Sequence, residues 1–316
     1  MSWDDTDHLP YLPPELERLI FEVACIRHGS RCSTKYLLVA RRVNTWLKPL
    51  IFRVFNQMTL SIFPDFERYP DTLKLEELGK FAQRLILKSG SEKGLKKMLS
   101  HFPSLQDFAL WVQPIKFLLP TLDNLPLKRL SADLSDLAHD DYLSSTFSNI
   151  THLDVIKFHG RTWKEWEVLS KLPHLTHLII GSLIDLDVFP NLLHHVSQLR
   201  ILIFMPGEQG IAAWMGENEH KLNVNDDRLV MLSSPRFPIL LEDWVKGGES
   251  GLDCWAFCEL ISVARRRKLF LDNPPKWFER IFNWDKHLTD EGKKWYSELN
   301  WQDAWFCEFM AGTTQE

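Results

Sequence analysis

The sequence has no run of about twenty apolar residues, the length a helix needs to cross a bilayer. It also has no excess of one charge: 37 basic against 42 acidic residues give a formal net charge of −5. That balance supplies no whole-chain attraction to nucleic acid or to membrane surfaces. Cysteine is sparse, five residues with no framework spacing, which suits a reducing compartment rather than a disulfide scaffold. The opening Met1-Ser-Trp-Asp-Asp-Thr-Asp7 is acidic and lacks the features of a signal or transit peptide. The expectation is therefore an intracellular protein of the cytoplasm, the nucleus or both. There is no glycine-rich phosphate loop, no serine elbow and no His-Glu-x-x-His, and the scattered carboxylates have no pairing that marks acid–base work. No enzyme, cofactor or metal is expected. With 45% hydrophobic and 25% charged residues, the chain is globular rather than disordered.

What is present is a recurring phrase. It reads Leu105-x-x-Phe108-x-Leu110, Leu127-x-x-Leu130-x-Ala132, Ile150-x-x-Leu153-x-Val155, Leu175-x-x-Leu178-x-Ile180 and Val196-x-x-Leu199-x-Ile201, after a weaker copy at Ala82-x-x-Leu85-x-Leu87. The copies begin 23, 22, 23, 25 and 21 residues apart, within the leucine-rich-repeat period. The last two apolar positions alternate with residues that are often polar, as in a short strand with one buried face. Between strands the spacing becomes helical, as in Leu95, Met98, Leu99 and Phe102 or Phe189, Leu192, Leu193 and Val196. Proline-bearing tags such as Phe102-Pro103-Ser104 and Leu172-Pro173-His174 end the helices. Such units bury their apolar side only by stacking. A doubly wound α/β domain is the alternative, but its units are usually longer, about 30 residues or more.

The fold expected is α/β: an irregular leucine-rich-repeat solenoid over 75–235, with parallel strands on the concave side and helices outside. Residues flanking the buried strand positions would line the hollow. Trp111, Arg129, Asp133, His152, Asp154, His177 and Arg200 are the candidate target-binding residues, with Gln198 and Leu202 assigned beside Arg200 by register. Both charge signs mix there with a tryptophan, which favours a protein ligand over a phosphate backbone.

Residues 9–55 form a separate helical segment. Leu12-Pro13-Pro14-Glu15-Leu16 opens a helix with prolines at its start and acids in its first turn. Leu12, Leu16, Leu19, Ile20 and Val23 share one face. A polar stretch, His28 to Lys35, precedes a second helix carrying Tyr36, Ala40, Val43, Leu47 and Leu50, which Pro49 is expected to break. Leu12-Pro13-x-Glu15-Leu16-x-x-x-Ile20-Phe21, followed by Leu37-x-x-Ala40-Arg41-Arg42-Val43-x-x-Trp46, resembles an F-box in the divergent form common in fungal proteins. The polar stretch at 27–35 departs from the tighter turn usual there. The resemblance implies docking on a Skp-type adaptor through Leu12, Pro13, Leu16, Ile20, Val43 and Leu50. A plain cap over the end of the stack is the other reading of the same residues.

Residues 236–316 form the third region, a helical cap holding seven of the thirteen tryptophans, a density that marks tight packing or a partner surface. Helices are expected at 253–268 and 289–309, and a last strand at 227–232. The run Ala264-Arg-Arg-Arg-Lys268 suits a helix C-terminus or an acidic-partner patch. Cys254 and Cys258 read as buried small residues. His152, His177 and Asp154 could gather around a metal, though repetition alone also stacks them, and Cys25, His28 and Cys32 lack a fourth ligand for zinc. If the F-box resemblance holds, the chain is the substrate-recognition subunit of a cullin-type ubiquitin ligase. It would then hold a Skp-type adaptor at one end and a target protein in the hollow, with no nucleic acid or membrane partner. The alternative is a repeat scaffold with no ligase role.

Overall fold

The computed structural model describes residues 12–58, 62–69, 73–207, 211–218, 221, 224–234, 236–271, 277–278 and 281–299. Among these residues nine strands form one sheet: β1 (Val54–Gln57), β2 (Arg84–Leu87), β3 (Asp107–Pro114), β4 (Arg129–Asp133), β5 (His152–Lys157), β6 (His177–Ile180), β7 (Ile201–Phe204), β8 (Leu229–Leu232) and β9 (Trp277–Phe278). Each strand pairs, in parallel, with the next in sequence. Successive parallel strands need a return segment, and the returns from β1 to β8 lie against one sheet face, while the segment between β8 and β9 carries two helices on the other. This is a solenoid-like α/β fold. It extends past both expected limits, with β1 before residue 75 and β9 after 235.

The register follows the repeated phrase. Phe55, Leu85, Phe108, Leu130, Leu153, Leu178, Leu202 and Leu229 occupy one row across the sheet. A second row runs Leu87, Leu110, Ala132, Val155, Ile180, Phe204 and Met231, and both rows are buried. The last copy is corrected by three residues. Its frame is Leu199-x-x-Leu202-x-Phe204, because Val196 belongs to the end of the preceding helix. Just before the strands, one backbone carbonyl accepts from two successive amides of the next repeat. Gln83, Gln106, Lys128, Thr151 and Thr176 all do so, at 2.7–3.2 Å.

The two rows pack against the return segments: α3 (Leu75–Leu78), α4 (Glu92–Leu99), α5 (Leu119–Leu122), α6 (Ser145–Ser148), α7 (Trp163–Trp166), α8 (Val188–His195) and α9 (Ile211–Asn218), with 3-10 turns between them. Leu95 and Leu99 of α4 and Phe189, Leu192 and Leu193 of α8 enter this core as their spacing predicts. Of the two C-terminal helices expected, α11 (Cys254–Arg266) and α12 (Asp290–Glu298) are present; residues 300–309 lie outside the described residues. Another helix, α10 (Phe237–Ser250), was not expected. It starts at Arg236 with Pro238 in its first turn and ends at Gly251 with φ +78°.

At the other end, α1 (Pro14–Ser33) and α2 (Arg41–Ile51) pack together. The polar stretch 28–35 does not end α1. The helix kinks at Gly29 (φ +72°) and resumes, with the Ser30 amide donating to Glu249 Oε1 of α10 at 2.9 Å. Pro49 lies inside α2 rather than ending it, and the helix stops two residues later at Ile51. Among the described residues no helix is long and apolar enough to cross a membrane.

Candidate docking surfaces

Two surfaces decide what the chain can hold: the outer face of α1 and the sheet face turned away from the return helices. In α1, successive residues are offset by about 100°. Phe21, Cys25 and His28 therefore share one side, and that side meets the second helix. Cys25 is buried with Val43, Leu47 and Ile51 of α2, Phe21 and His28 contact the Tyr36 ring, and Arg42 donates twice to Glu17, both at 2.9 Å. The opposite side carries Leu16, Leu19, Ile20 and Val23, which remain 49, 54, 56 and 39% exposed, and Leu12, just before the helix, is 43% exposed. The leucine- and isoleucine-bearing side of this helix thus points outward. Leu38, the last residue of the 3-10 turn Thr34–Leu38, and Val39 after it add two more exposed apolar side chains. A contiguous apolar stripe on a folded surface marks an interaction site.

Of the six residues the F-box resemblance carries into adaptor binding, Leu12, Pro13, Leu16 and Ile20 lie exposed at this stripe. Val43 does not. It is fully buried between α2 and the core, because α2 turns Val43, Leu47 and Ile51 inward at i, i+4, i+8. Leu50 is half-buried against the same core.

The second sheet face is not an open hollow: α10 and α11 cover it. Leu241 and Trp244 of α10 pack on Val54, Met58, Ile86 and Ala109, with Trp111 alongside. Cys254, Cys258, Ile261 and Ala264 of α11 pack on Ile179, Ile201, Ile203, Met205, Val230 and Leu232. Between these apolar ends lies a polar middle, which holds the residues expected to read a target. Trp111 sets its ring edge-on to Phe237 at 5.7 Å, and its indole N–H donates to Ser131 Oγ at 2.7 Å. Ser131 in turn donates to Asp154 Oδ2 at 2.5 Å. Burial pushes the Asp154 carboxyl up to about 7, with the Asp107 charge adding to it against the Ser131 hydrogen bond. Arg129 donates to Asp253 Oδ2 at 3.1 Å, and Asp253 caps α11 by accepting from the Ala256 amide at 3.2 Å. Arg84 lies 2.8 Å from Asp107 and 4.6 Å above the Trp244 ring. Asp243 of α10 accepts from the Cys254 amide at 3.0 Å, and burial beside Asp253 raises it to about 7.

His152 and His177 stack as repetition predicts, with ring centroids 4.0 Å apart and an interplanar angle of 4°. Trp255 of α11 stands edge-on against both rings. Burial, followed by the charges of Arg129 and His177, drives the pKa of His152 well below its ordinary value. His177 Nε2 sits 2.9 Å from Glu259 Oε1 of α11, and Arg200 reaches the same oxygen at 3.0 Å. Burial works to raise Glu259, but the His177 hydrogen bond and the His177 and Arg200 charges outweigh it and leave it below its ordinary value. Asp133 is buried and accepts from the amide and hydroxyl of Ser135, with Lys157 at 3.5 Å.

All seven expected target-binding residues are therefore engaged within the chain, and six of them lie under or beside the covering helices. Arg200 differs, its side chain 65% exposed. The corrected frame explains why. Arg200 precedes β7 and lies at the sheet margin, while Ile201, Ile203 and Met205 take the places first given to Gln198, Arg200 and Leu202.

Sequence reasoning missed α10 and with it the covering of this face. The signal was Leu241, Trp244 and Val245 at helical spacing behind Phe237-Pro238. No cluster of three potential metal ligands occurs among the described residues. Contact with Cys258, then burial, pushes the Cys254 thiol well above its ordinary value. No protein-family model matches this chain, and no curated protein matches it.

Proposed function

We propose that this chain is a substrate receptor of a cullin-type ubiquitin ligase, docking on a Skp-type adaptor through the exposed face of α1. The observation that carries the reading is the outward apolar stripe Leu12, Leu16, Leu19, Ile20 and Val23. A helix serving only as an end cap would turn that stripe onto the stack; this one turns the side with Phe21, Cys25 and His28 inward. Covering five half-exposed side chains favours association by roughly 1 kcal/mol apiece before ordering costs. The leucine-rich-repeat character of the stack, and the F-box character of α1 and α2, belong to the same proposal and rest on the repeated phrase and on the Leu12-Pro13 to Trp46 resemblance. A receptor of this kind has no bond chemistry of its own. It raises the effective concentration of a bound protein near the transfer machinery.

The decisive experiment is co-purification and calorimetric titration with a Skp-type adaptor. Wild type binds, and Leu12→Asp with Leu16→Asp abolishes binding without lowering the melting temperature, since both side chains are exposed. Failure of wild type to bind, or unchanged binding by the double variant, overturns the reading. One observation favours a repeat scaffold without a ligase role: α10 and α11 fill the sheet face on which a target was expected to sit. That reading predicts partners that ignore the adaptor.

A further inference from the structure

The second sheet face is filled, but one cleft beside it has the chemistry to hold a partner. It measures about 540 Å³ and lies between the segment leading into β7, the outer side of α11 and the end of α12. Its apolar lining includes Leu260, Val263, Trp295 and Leu299. Its charged lining is four arginines, Arg200, Arg228, Arg266 and Arg267, against one glutamate, Glu259, in a chain whose net charge is negative.

The four arginines are not equivalent. Arg228 is committed to Asp226 at 2.7 Å and to the carbonyls of Leu193 and Leu199. Arg200 is held by Glu259, which also serves His177. Arg266 and Arg267 have no carboxylate partner among the described residues, and both are exposed. Arg267 lies 5.7 Å from the Trp295 ring centroid, a cation–π contact that fixes the guanidinium without neutralising it. The basic run is thereby divided. Arg265 is structural, bonded to the Leu229 carbonyl and set over Phe278, while the next two arginines face the cleft.

From this arrangement we infer that the cleft binds an acidic segment of a partner protein carrying an apolar anchor residue. Carboxylates of the segment pair with Arg266 and Arg267, as planar guanidinium groups favour. A leucine or aromatic side chain fills the space beside Leu260, Val263 and Trp295. A free inorganic anion would leave that apolar lining uncovered, and a nucleic acid would need a longer basic track than two arginines provide. The site is independent of the adaptor reading, because α1 packs near β1 and the cleft opens at β7, six strands along the sheet.

The test screens the full chain against an array of short peptides permuting Glu, Asp, Leu and Trp, with Gln and Lys counterparts, followed by fluorescence anisotropy. The expected result is selective binding of acidic peptides that contain Leu or Trp and that weaken with added salt. Arg266→Glu with Arg267→Glu weakens them about tenfold or more, and Lys97→Glu on α4 leaves them unchanged. Adaptor binding is the same in both variants wherever wild type shows it. Equal binding of the Gln peptides, no enrichment of acidic sequences, or an unaffected double variant overturns the assignment. So does binding that emerges only with Asp303→Asn and Glu308→Gln, because the cleft would then be held by the chain's own residues 300–316, which follow directly after Leu299.

Discussion

Asp154 is a carboxyl that the fold buries beside a serine and a tryptophan, with Asp107 rather than a cation as its charged neighbour. Its ordinary value is 3.8 and its native value about 7, so between about pH 4 and pH 7 the native state keeps a proton that the unfolded chain has released. Stability therefore falls as pH rises through that window, and Asp243, also raised to about 7, acts in the same direction. His152 acts oppositely. Held well below its ordinary 6.5, it refuses a proton that the unfolded chain accepts, so its contribution is lost as pH falls below about 6.5. Asp154→Asn removes one of the two carboxyl contributions. Urea unfolding at pH 5 and pH 8 is expected to show the variant gaining roughly 1–4 kcal/mol on wild type between the two; parallel profiles would exclude the protonated carboxyl. None of this was legible in the sequence. Asp154, His152 and their neighbours were visible at their strand positions, but the residues that cover them were not: Asp253 on Arg129, Trp255 on His152 and Glu259 on His177 lie about 80 to 125 residues away.

The repeat strands, unlike their polar surroundings, were readable as elements because each carries its own leucines at its own spacing. Where two frames fitted, at Val196 and Leu199, only the pairing of Leu178 with Leu202 distinguished them. Helix α10 was hidden by Gly247 and Gly248, since glycine inside a helix costs about 1 kcal/mol relative to alanine. Packing is the reason for both glycines. A side chain at Gly247 would run into Asp253, and one at Gly248 into Val54 and Arg84. Gly248→Leu is thus expected to lift α10 from the first strands and cost about 1–3 kcal/mol, read by urea unfolding. Limited proteolysis near Ser233–Asp253 should quicken with it. An unchanged midpoint would mean that α10 rests only loosely on the sheet. The face of α1 follows a different lesson: its periodicity located the apolar stripe, but only the Glu17–Arg42 and Cys25 contacts show which side is turned inward.

At the scale of the molecule, contacts run mostly between neighbours in sequence, as in any stack of repeats. Polar ties from the C-terminal helices depart from that pattern. Glu249 at the end of α10 bonds the Ser30 amide, and its carbonyl accepts from Arg53. Asp253, four residues later, holds Arg129, and Glu259 holds His177. These ties reach back to α1, β4 and β6, so the C-terminal helices span most of the sheet as one crosspiece. An open stack tolerates losing a unit, because the remaining units simply close ranks. Here the crosspiece acts as a ruler of set length laid across the strands. Excision of one unit, residues 105–126, would move everything beyond it by one strand spacing of about 4.8 Å, leaving the Ser30 and Arg129 anchors unable to meet the same ruler together. Such a deletion is expected to abolish cooperative unfolding by circular dichroism, where a freely additive stack would merely melt lower. The number of repeats in this chain is then counted by its own C-terminal helices and cannot drift.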